Sequence, residues 1–265
     1  MKKFIALTSL LLVAVLAGCT ASADEGQTTI RIGATPVPHS LILEYIRDDL
    51  EAQGVLIEIV EFAEFVLVNP ALYAGQIDAN YFQHYPFLEN YIRDSGQELT
   101  PIVDVHIEPM SIYSYTLTSL DQLQEGATVA IPNDAVNGGR ALAILESSGI
   151  IGLTEGIGIR AVPANIIYNP LNLNITELDP PLLPRALDQV DIAVINTNFA
   201  LEVGLNPMND ALYMESPDSP FANILVTRPE NANDEAIQIL AATLTTEAVR
   251  AFILERFEGA VVPAF

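Results

Sequence analysis

The sequence predicts an α/β protein built as two lobes, and three observations carry that expectation. Strand and helix patterns alternate through the first part of the chain, as they do when helices cover a sheet. Setting aside an apolar leader at 1–18 leaves 247 of the 265 residues, long for one compact core and comfortable for two. Near Pro109 to Tyr115 the pattern stays extended without a helix, which marks a crossing between lobes, and the run Asn223 to Arg228 offers a strand on which the chain returns.

The leader justifies itself first. Met1-Lys2-Lys3 is followed by an apolar run to Ala17 and by Leu16-Ala17-Gly18-Cys19, a secretory signal ending in a lipobox. Its apolar stretch of roughly 14 residues falls short of the ~20 that span a bilayer. Cleavage before Cys19 would leave a lipidated cysteine at the new N-terminus, on the extracytoplasmic face of the cell membrane, and would consume the only thiol. No disulfide can then form, so burial alone stabilises the fold. Both lysines lie in the leader, so the remainder carries nine arginines against 34 Asp and Glu, a net charge of −25. Such a surface repels nucleic acid and anionic lipid.

Residues 19–28 are small, polar and acidic, as a flexible tether requires. Ile30 to Ala34 reads as a strand, and the helix after it presents Ile42, Tyr45, Ile46 and Leu50 on one face. Gly54 ends that helix, Val55 to Phe62 is a strand, and Asn69 to Tyr73 a short helix stopped by Gly75. This order predicts a mostly parallel sheet. A helix from Pro86 to Arg93 and a strand from Leu99 to Ile107 follow. Beyond the crossing, Ser119-Leu120-Asp121-Gln122 has the form of a capping box, Ala127 to Ile131 is a strand, and a loop from Asn133 to Arg140 enters a helix at Ala141 to Glu146. The stretch from Gly149 to Pro184 is irregular, with Ile175 to Leu178 its best strand and Leu182 to Leu187 a short helix. Asp191 to Ile195 is a buried strand, and Asn196-Thr197-Asn198 opens a helix ended by Gly204. Two amphipathic helices close the chain, with apolar faces at Ile237, Leu240 and Leu244, then Val249, Phe252, Ile253 and Phe257.

Between Asp78 and Asn90, four rings and His84 mix irregularly with Asn80 and Gln83. That mixture suits a pocket wall, apolar with a few polar groups; the alternative is an ordinary strand-to-helix turn with His84 capping the helix. Arg140 follows Asn137 and Gly138-Gly139 where a loop becomes a helix, a place suited to a carboxylate or phosphate. It could equally be paired with an acidic neighbour. No Lys-Ser/Thr follows the glycines, which excludes a nucleotide P-loop. Asn196 and Asn223 carry donors and acceptors together and could meet both ends of an amino acid, or could form turns and caps. His39, His84 and His106 could converge on a zinc-type cation, though none shows short ligand spacing. With no nucleophile elbow, nucleotide loop or free thiol, no enzyme chemistry can be named.

Six ordered motifs point further: Gly33-Ala34-Thr35-Pro36-Val37-Pro38-His39, Asp78-Ala79-Asn80-Tyr81-Phe82-Gln83-His84, Val105-His106-Ile107-Glu108-Pro109-Met110, Ile131-Pro132-Asn133-Asp134, Leu183-Pro184-Arg185-Ala186-Leu187-Asp188 and Ala193-Val194-Ile195-Asn196. With the lipobox, the chain from Ile30 to Phe265 resembles the NlpA-type lipoproteins, the methionine-binding components of methionine ABC importers. The resemblance implies a type II-like periplasmic-binding-protein fold with ligand in the cleft between lobes, here 29–111 with 226–265 and 112–225. It implies Phe65, Phe82, His84 and Phe87 around the ligand side chain, Asn137 and Arg140 near its carboxylate, and Asn196 and Asn223 on its backbone. Phe65 and Phe87 depart from the family pattern, which has tyrosine there. A permease and ATPase complex is the implied partner of a cofactor-free, non-enzymatic monomer. The ligand is left open among L-methionine, D-methionine and small methionyl peptides.

Overall fold

Two sheets, each with apolar side chains on both faces, organise residues 27–216 and 220–265, the part that the computed structural model describes. The leader, Cys19 and the tether through residue 26 lie outside the described residues. The first unit runs β1 (Thr28–Ala34), α1 (Leu41–Tyr45), α2 (Arg47–Glu51), β2 (Val55–Glu61), α3 (Val68–Tyr73), β3 (Ala79–His84), α4 (Tyr85–Ser95) and β4 (Thr100–Ile107). The second begins at β5 (Ser111–Tyr113) and β6 (Thr128–Pro132), continues through α5 (Ala135–Ser147), the ribbon β7 (Gly152–Leu153) and β8 (Ile166–Tyr168), and β9 (Asn174–Leu178). It is completed by α6 (Leu183–Ala186), β10 (Ile192–Ile195), α7 (Thr197–Glu202), α8 (Pro207–Asp210) and β11 (Tyr213–Met214). The chain then returns to the first sheet with β12 (Ala222–Thr227), α9 (Glu235–Leu244), α10 (Glu247–Phe257) and β13 (Val262–Pro263).

The sheet orders are β13-β4-β12-β3-β1-β2 and β11-β5-β10-β6-β9. Both are mixed, which corrects the expectation of a mostly parallel sheet. In the first, β1 lies parallel to β2 and β3, while the returning strand β12 inserts antiparallel between β3 and β4. Local alternation in the first half cannot reveal a strand that arrives from the far end of the chain. The expected lobe boundary at 225/226 falls inside β12, all of which pairs in the first sheet.

Period-two alternation sorts each strand onto two cores. Leu225 faces the cluster of Ile32, Leu50 and Leu240, while Ile224 and Val226 face Val68, Leu72 and Leu88. In the second sheet, Ile192 and Val194 join Leu142 and Ile144, whereas Ala193 and Ile195 join Leu183 and Phe199. Phe65 belongs to no single layer: its ring packs against a core of each sheet.

The helix that carries Arg140 starts earlier than expected. Asp134 is its N-cap, accepting from the Val136 and Asn137 amides, so Gly138 and Gly139 lie inside α5 rather than in a loop. Their role is close approach. A β-carbon on Gly138 would stand 2.7 Å from the Pro132 carbonyl oxygen, and one on Gly139 only 2.0 Å from that of Ile159. Arg140 is therefore past the free amides of the helix start, and the expectation that it shares an anion site with them is corrected.

This packing generates a prediction. Gly139→Ala drives a methyl group into fixed backbone, and overpacking of that kind costs about 1–3 kcal/mol, more where backbone has to move. Denaturant midpoints should fall accordingly, and because α5 carries Asn137 and Arg140, ligand affinity should fall with them. An unchanged midpoint would show that the turn at Gly158–Arg160 gives way freely.

Candidate functional site

One narrow cavity lies where the C-terminal ends of β3 and β4 meet the N-terminal ends of α5 and α7. All eight side chains expected from the sequence line it: Phe65, Phe82, His84, Phe87, Asn137, Arg140, Asn196 and Asn223. His39, Gln83, Glu108, Thr197 and Asn198 line it as well. His39 was weighed only as a cation ligand and Gln83 only as part of a polar-and-aromatic wall; Glu108 stands inside a quoted motif, and Thr197 and Asn198 follow Asn196, so a signal was present for each.

The apolar end is a cage of rings. Phe65, Phe82 and Phe87 are mutually edge-on or tilted, with centroids 5.9–6.0 Å apart, and His84 stands edge-on to Phe87 at 6.2 Å. Phe199 closes on Phe65 from the second sheet at 5.0 Å. The four rings of the Asp78–Asn90 stretch thus divide: Tyr81 points into the core, Tyr85 is exposed, and Phe82 and Phe87 reach the cavity. His84 realises both of its readings, because its Nδ1 accepts the Phe87 amide as the N-cap of α4 while its other edge faces the cavity.

The polar end is oriented by a chain of hydrogen bonds that starts at Asp134. This carboxylate only accepts, so the Asn137 side-chain amide must turn its Nδ2 toward it, at 3.1–3.2 Å. Asn137 Oδ1 then accepts from His84 Nε2 at 3.2 Å and from Asn196 Nδ2 at 3.1 Å. His84 is thereby fixed as the Nε2–H tautomer, which leaves Nδ1 free to accept from the Phe87 amide. Asn196 occupies the N-cap position of α7 yet makes no side-chain cap bond, so its buried Oδ1 is left unpartnered. Asn198 Nδ2 is likewise buried and unpartnered. The cavity thus keeps one spare acceptor and one spare donor, an arrangement that calls for a ligand.

Asn223 sits on β12 in register with both His84 and His106. Its Oδ1 lies 3.1 Å from His39 Nε2. His39 Nδ1 pairs with Thr35 Oγ1 at 2.7 Å, His106 Nε2 lies 2.8 Å from Glu108 Oε1, and His106 Nδ1 pairs with the Tyr81 hydroxyl. Neither the Asn196 nor the Asn223 side chain closes a turn or caps a helix.

Arg140 is buried and heavily engaged. Nε and Nη2 reach the Glu215 carboxylate at 3.1 and 2.6 Å, Nη2 also donates to the Glu108 carbonyl at 2.8 Å, and the guanidinium lies 3.9 Å above the Phe221 ring. The acidic pairing weighed from the sequence exists, but it is a buried pair on the cavity wall rather than a surface bridge. Burial depresses all three histidines: His39 to about 4, His84 to about 3 with Arg140 adding to the effect, and His106 to about 3. Burial pushes Glu108 the other way, upward, opposed by its interactions with His39 and Arg140 and by a backbone hydrogen bond from Asn198.

Residues 30–265 match the family model described as NlpA lipoprotein. The chain is 37% identical to the D-methionine-binding lipoprotein MetQ of Salmonella typhimurium, over 98% of this chain and 97% of that one. Among solved structures, a nutrient-binding protein from Burkholderia cenocepacia bound to methionine superposes with a TM-score of 0.87 at 36% identity, covering 89% of this chain and 100% of that one. A periplasmic substrate-binding protein of an ABC transporter from Coxiella burnetii does so with 0.85 at 37%, covering 89% and 100%.

The buried histidines fix the sign of a pH effect. Below 6.5 the unfolded chain takes up protons that the folded chain refuses until about pH 3 or 4, so stability is full above 6.5 and is lost as pH falls. By pH 5 each ring should cost on the order of 1–2 kcal/mol. Urea midpoints measured from pH 7.5 to 5 should decline while the ring resonances stay put. A histidine resonance that titrates near pH 6 in the folded protein would refute this reading.

Proposed function

From the premise that this chain belongs to the NlpA lipoprotein family, we propose that it is a lipid-anchored, extracytoplasmic substrate-binding protein that captures methionine and delivers it to an ABC importer. The observation that carries the proposal is the polarity of the cavity: a cage of hydrocarbon rings at one end, and at the other Arg140 beside a spare amide acceptor and a spare amide donor. A thioether gains roughly 0.3–1.5 kcal/mol from each contact with a ring edge. A zwitterion is buried without penalty only if both charges and all of its hydrogen-bonding groups find partners. Phe65, Phe82, His84 and Phe87 would hold the side chain, Asn137, Arg140 and Asn198 the carboxylate end, and Asn196 and Asn223 the remaining backbone atoms. Because Phe65 and Phe87 carry no hydroxyl, that cage would select by shape and polarizability alone.

The two sheets would act as hinged lobes, with one crossing after β4 and the other before β12. Ligand that bridges them favours the closed form, and can shift the balance only by binding that form better. The lipid at Cys19 would hold a monomer beside its permease and ATPase, where raised local concentration offsets weak docking.

A zinc-type cation remains the second reading, because nitrogens of His39 and His106 and the Glu108 carboxylate lie within 4.8 Å of one another. These atoms, however, serve one another and Asn223 as hydrogen-bond partners, and His84 stands apart on Asn137. A cation there would leave the ring cage and Arg140 without a role. Methionine accounts for both ends.

Native mass spectrometry of the lipid-free protein should find a bound mass of methionine, and calorimetry should detect methionine but no zinc at micromolar protein. In Arg140→Ala, methionine affinity should fall by ~3–5 kcal/mol. The preference for methionine over methioninol, which lacks the carboxylate, should largely vanish with it. The variant should also melt earlier, since Glu215 loses its partner; Arg140→Lys keeps the charge without the fork and should restore binding in part. Equal discrimination in wild type and both variants would remove Arg140 from the carboxylate site. Separately, Cys19→Ser should release the protein from membranes in its host without altering its melting temperature. A wild-type protein that is already free and unacylated would defeat the anchor.

A further inference from the structure

The charges around the cavity do not balance. Among the described residues lining it, Arg140 is the one permanent cation, and Glu215 already holds it at 2.6 Å. Glu108 is the carboxylate that lines the cavity itself, only 6% exposed. Its Oε1 takes His106 Nε2 at 2.8 Å and faces His39 Nε2 at 3.3 Å. Neither imidazole neutralises it. His106 Nδ1 is occupied by the Tyr81 hydroxyl and His39 Nδ1 by Thr35 Oγ1, so each ring can donate from Nε2 while accepting at Nδ1, which is the neutral tautomer. Glu202 is a further acidic neighbour of Glu108, and the chain as a whole carries −23. The one arginine is thus already taken by Glu215, and buried Glu108 is left without a cation of its own.

Resting on the methionine reading above, we infer that Glu108 is the residue that recognises the ligand's ammonium group, and that it restricts the site to amino acids among thioether carboxylates. Neutral hydrogen-bond donors hold the carboxyl group in place without supplying a positive charge, and an ammonium entering from the cavity would favour its ionised form against the burial that pushes its pKa up. The unpartnered Oδ1 of Asn196 is the second acceptor on that wall, and an ammonium has three donors to distribute. A ligand carboxylate would meanwhile turn to Arg140 and the spare amide of Asn198. The site so described takes a zwitterion in one orientation. The histidines are positioning residues that aim the carboxylate.

Calorimetric titration of methionine and of 4-(methylthio)butanoate, the same molecule without its ammonium, tests this in wild type and in Glu108→Gln. Loss of one partner of a buried charge pair is worth about 30-fold or more in affinity. Wild type should therefore prefer methionine by at least about that factor. In the Gln variant the preference should shrink several-fold, through weaker methionine binding with the desamino acid little changed. If Glu108→Gln gives no cooperative melt, Glu108→Asp, which retains the charge one methylene further back, should weaken methionine more than the desamino acid. Comparable affinity of the two ligands for wild type, an undiminished preference in Glu108→Gln, or equal losses for both ligands in Glu108→Asp would each overturn the inference alone. Failure of wild type to bind either ligand would overturn the methionine reading and this inference with it.

Discussion

A guanidinium that is 3% exposed persists only when every part of it is matched, because an unpaired buried charge costs several kcal/mol. The partners of Arg140 come from both places where the chain passes between its sheets. The Glu108 carbonyl follows β4, Glu215 follows β11, and Phe221 immediately precedes β12. Nearby contacts tie the same segments: Thr197 Oγ1 donates to the Pro109 carbonyl at 2.5 Å, and the Met110 amide to Glu215 at 3.3 Å. The charge that faces the cavity and the join between the two units are therefore a single interaction. A ligand that engages Arg140 acts on the crossings directly, with no relay through the cores.

The rest of the cavity is arranged around that charge. On one side, Asp134 orients Asn137, Asn137 orients Asn196 and fixes the tautomer of His84, and His84 caps the helix that carries Phe87. A polar chain beginning at one helix cap thus ends by positioning an apolar ring. On the other side, Phe65 leaves its own sheet to pack against Phe199 of the second, so the ring cage is completed only where the two units meet. Polar and apolar halves alike depend on the same closure.

Much of this was legible in the residues. Period-two and helical spacing located most elements, and the eight side chains singled out around the aromatic stretch, Arg140 and the two asparagines share one cavity. What misled was local context. Gly138-Gly139 before a helical pattern reads as a loop, yet the pair lies inside α5, because glycine there answers to two carbonyls that the fold presses against the helix, Pro132 at the end of β6 and Ile159 in a turn beyond the helix. Strand alternation in the first half reads as a parallel sheet, and says nothing of β12 inserting between β3 and β4.

By itself the sequence determined what depends on neighbours along the chain: the secretory leader with its lipobox, the amphipathic faces, the ring-rich strand-to-helix turn and the acidic, lysine-poor surface. It also determined, through ordered motifs that span the chain, the family to which the protein belongs. Only the tertiary structure decided which acid takes Arg140, which amide atoms of Asn196 and Asn198 are left over, and that Glu108 stands buried between two neutral imidazoles. Those outcomes turn on contacts between residues up to 184 positions apart, such as His39 with Asn223. Hydrogen-bond direction and charge balance are set by partners in space, and no spacing along the chain encodes them.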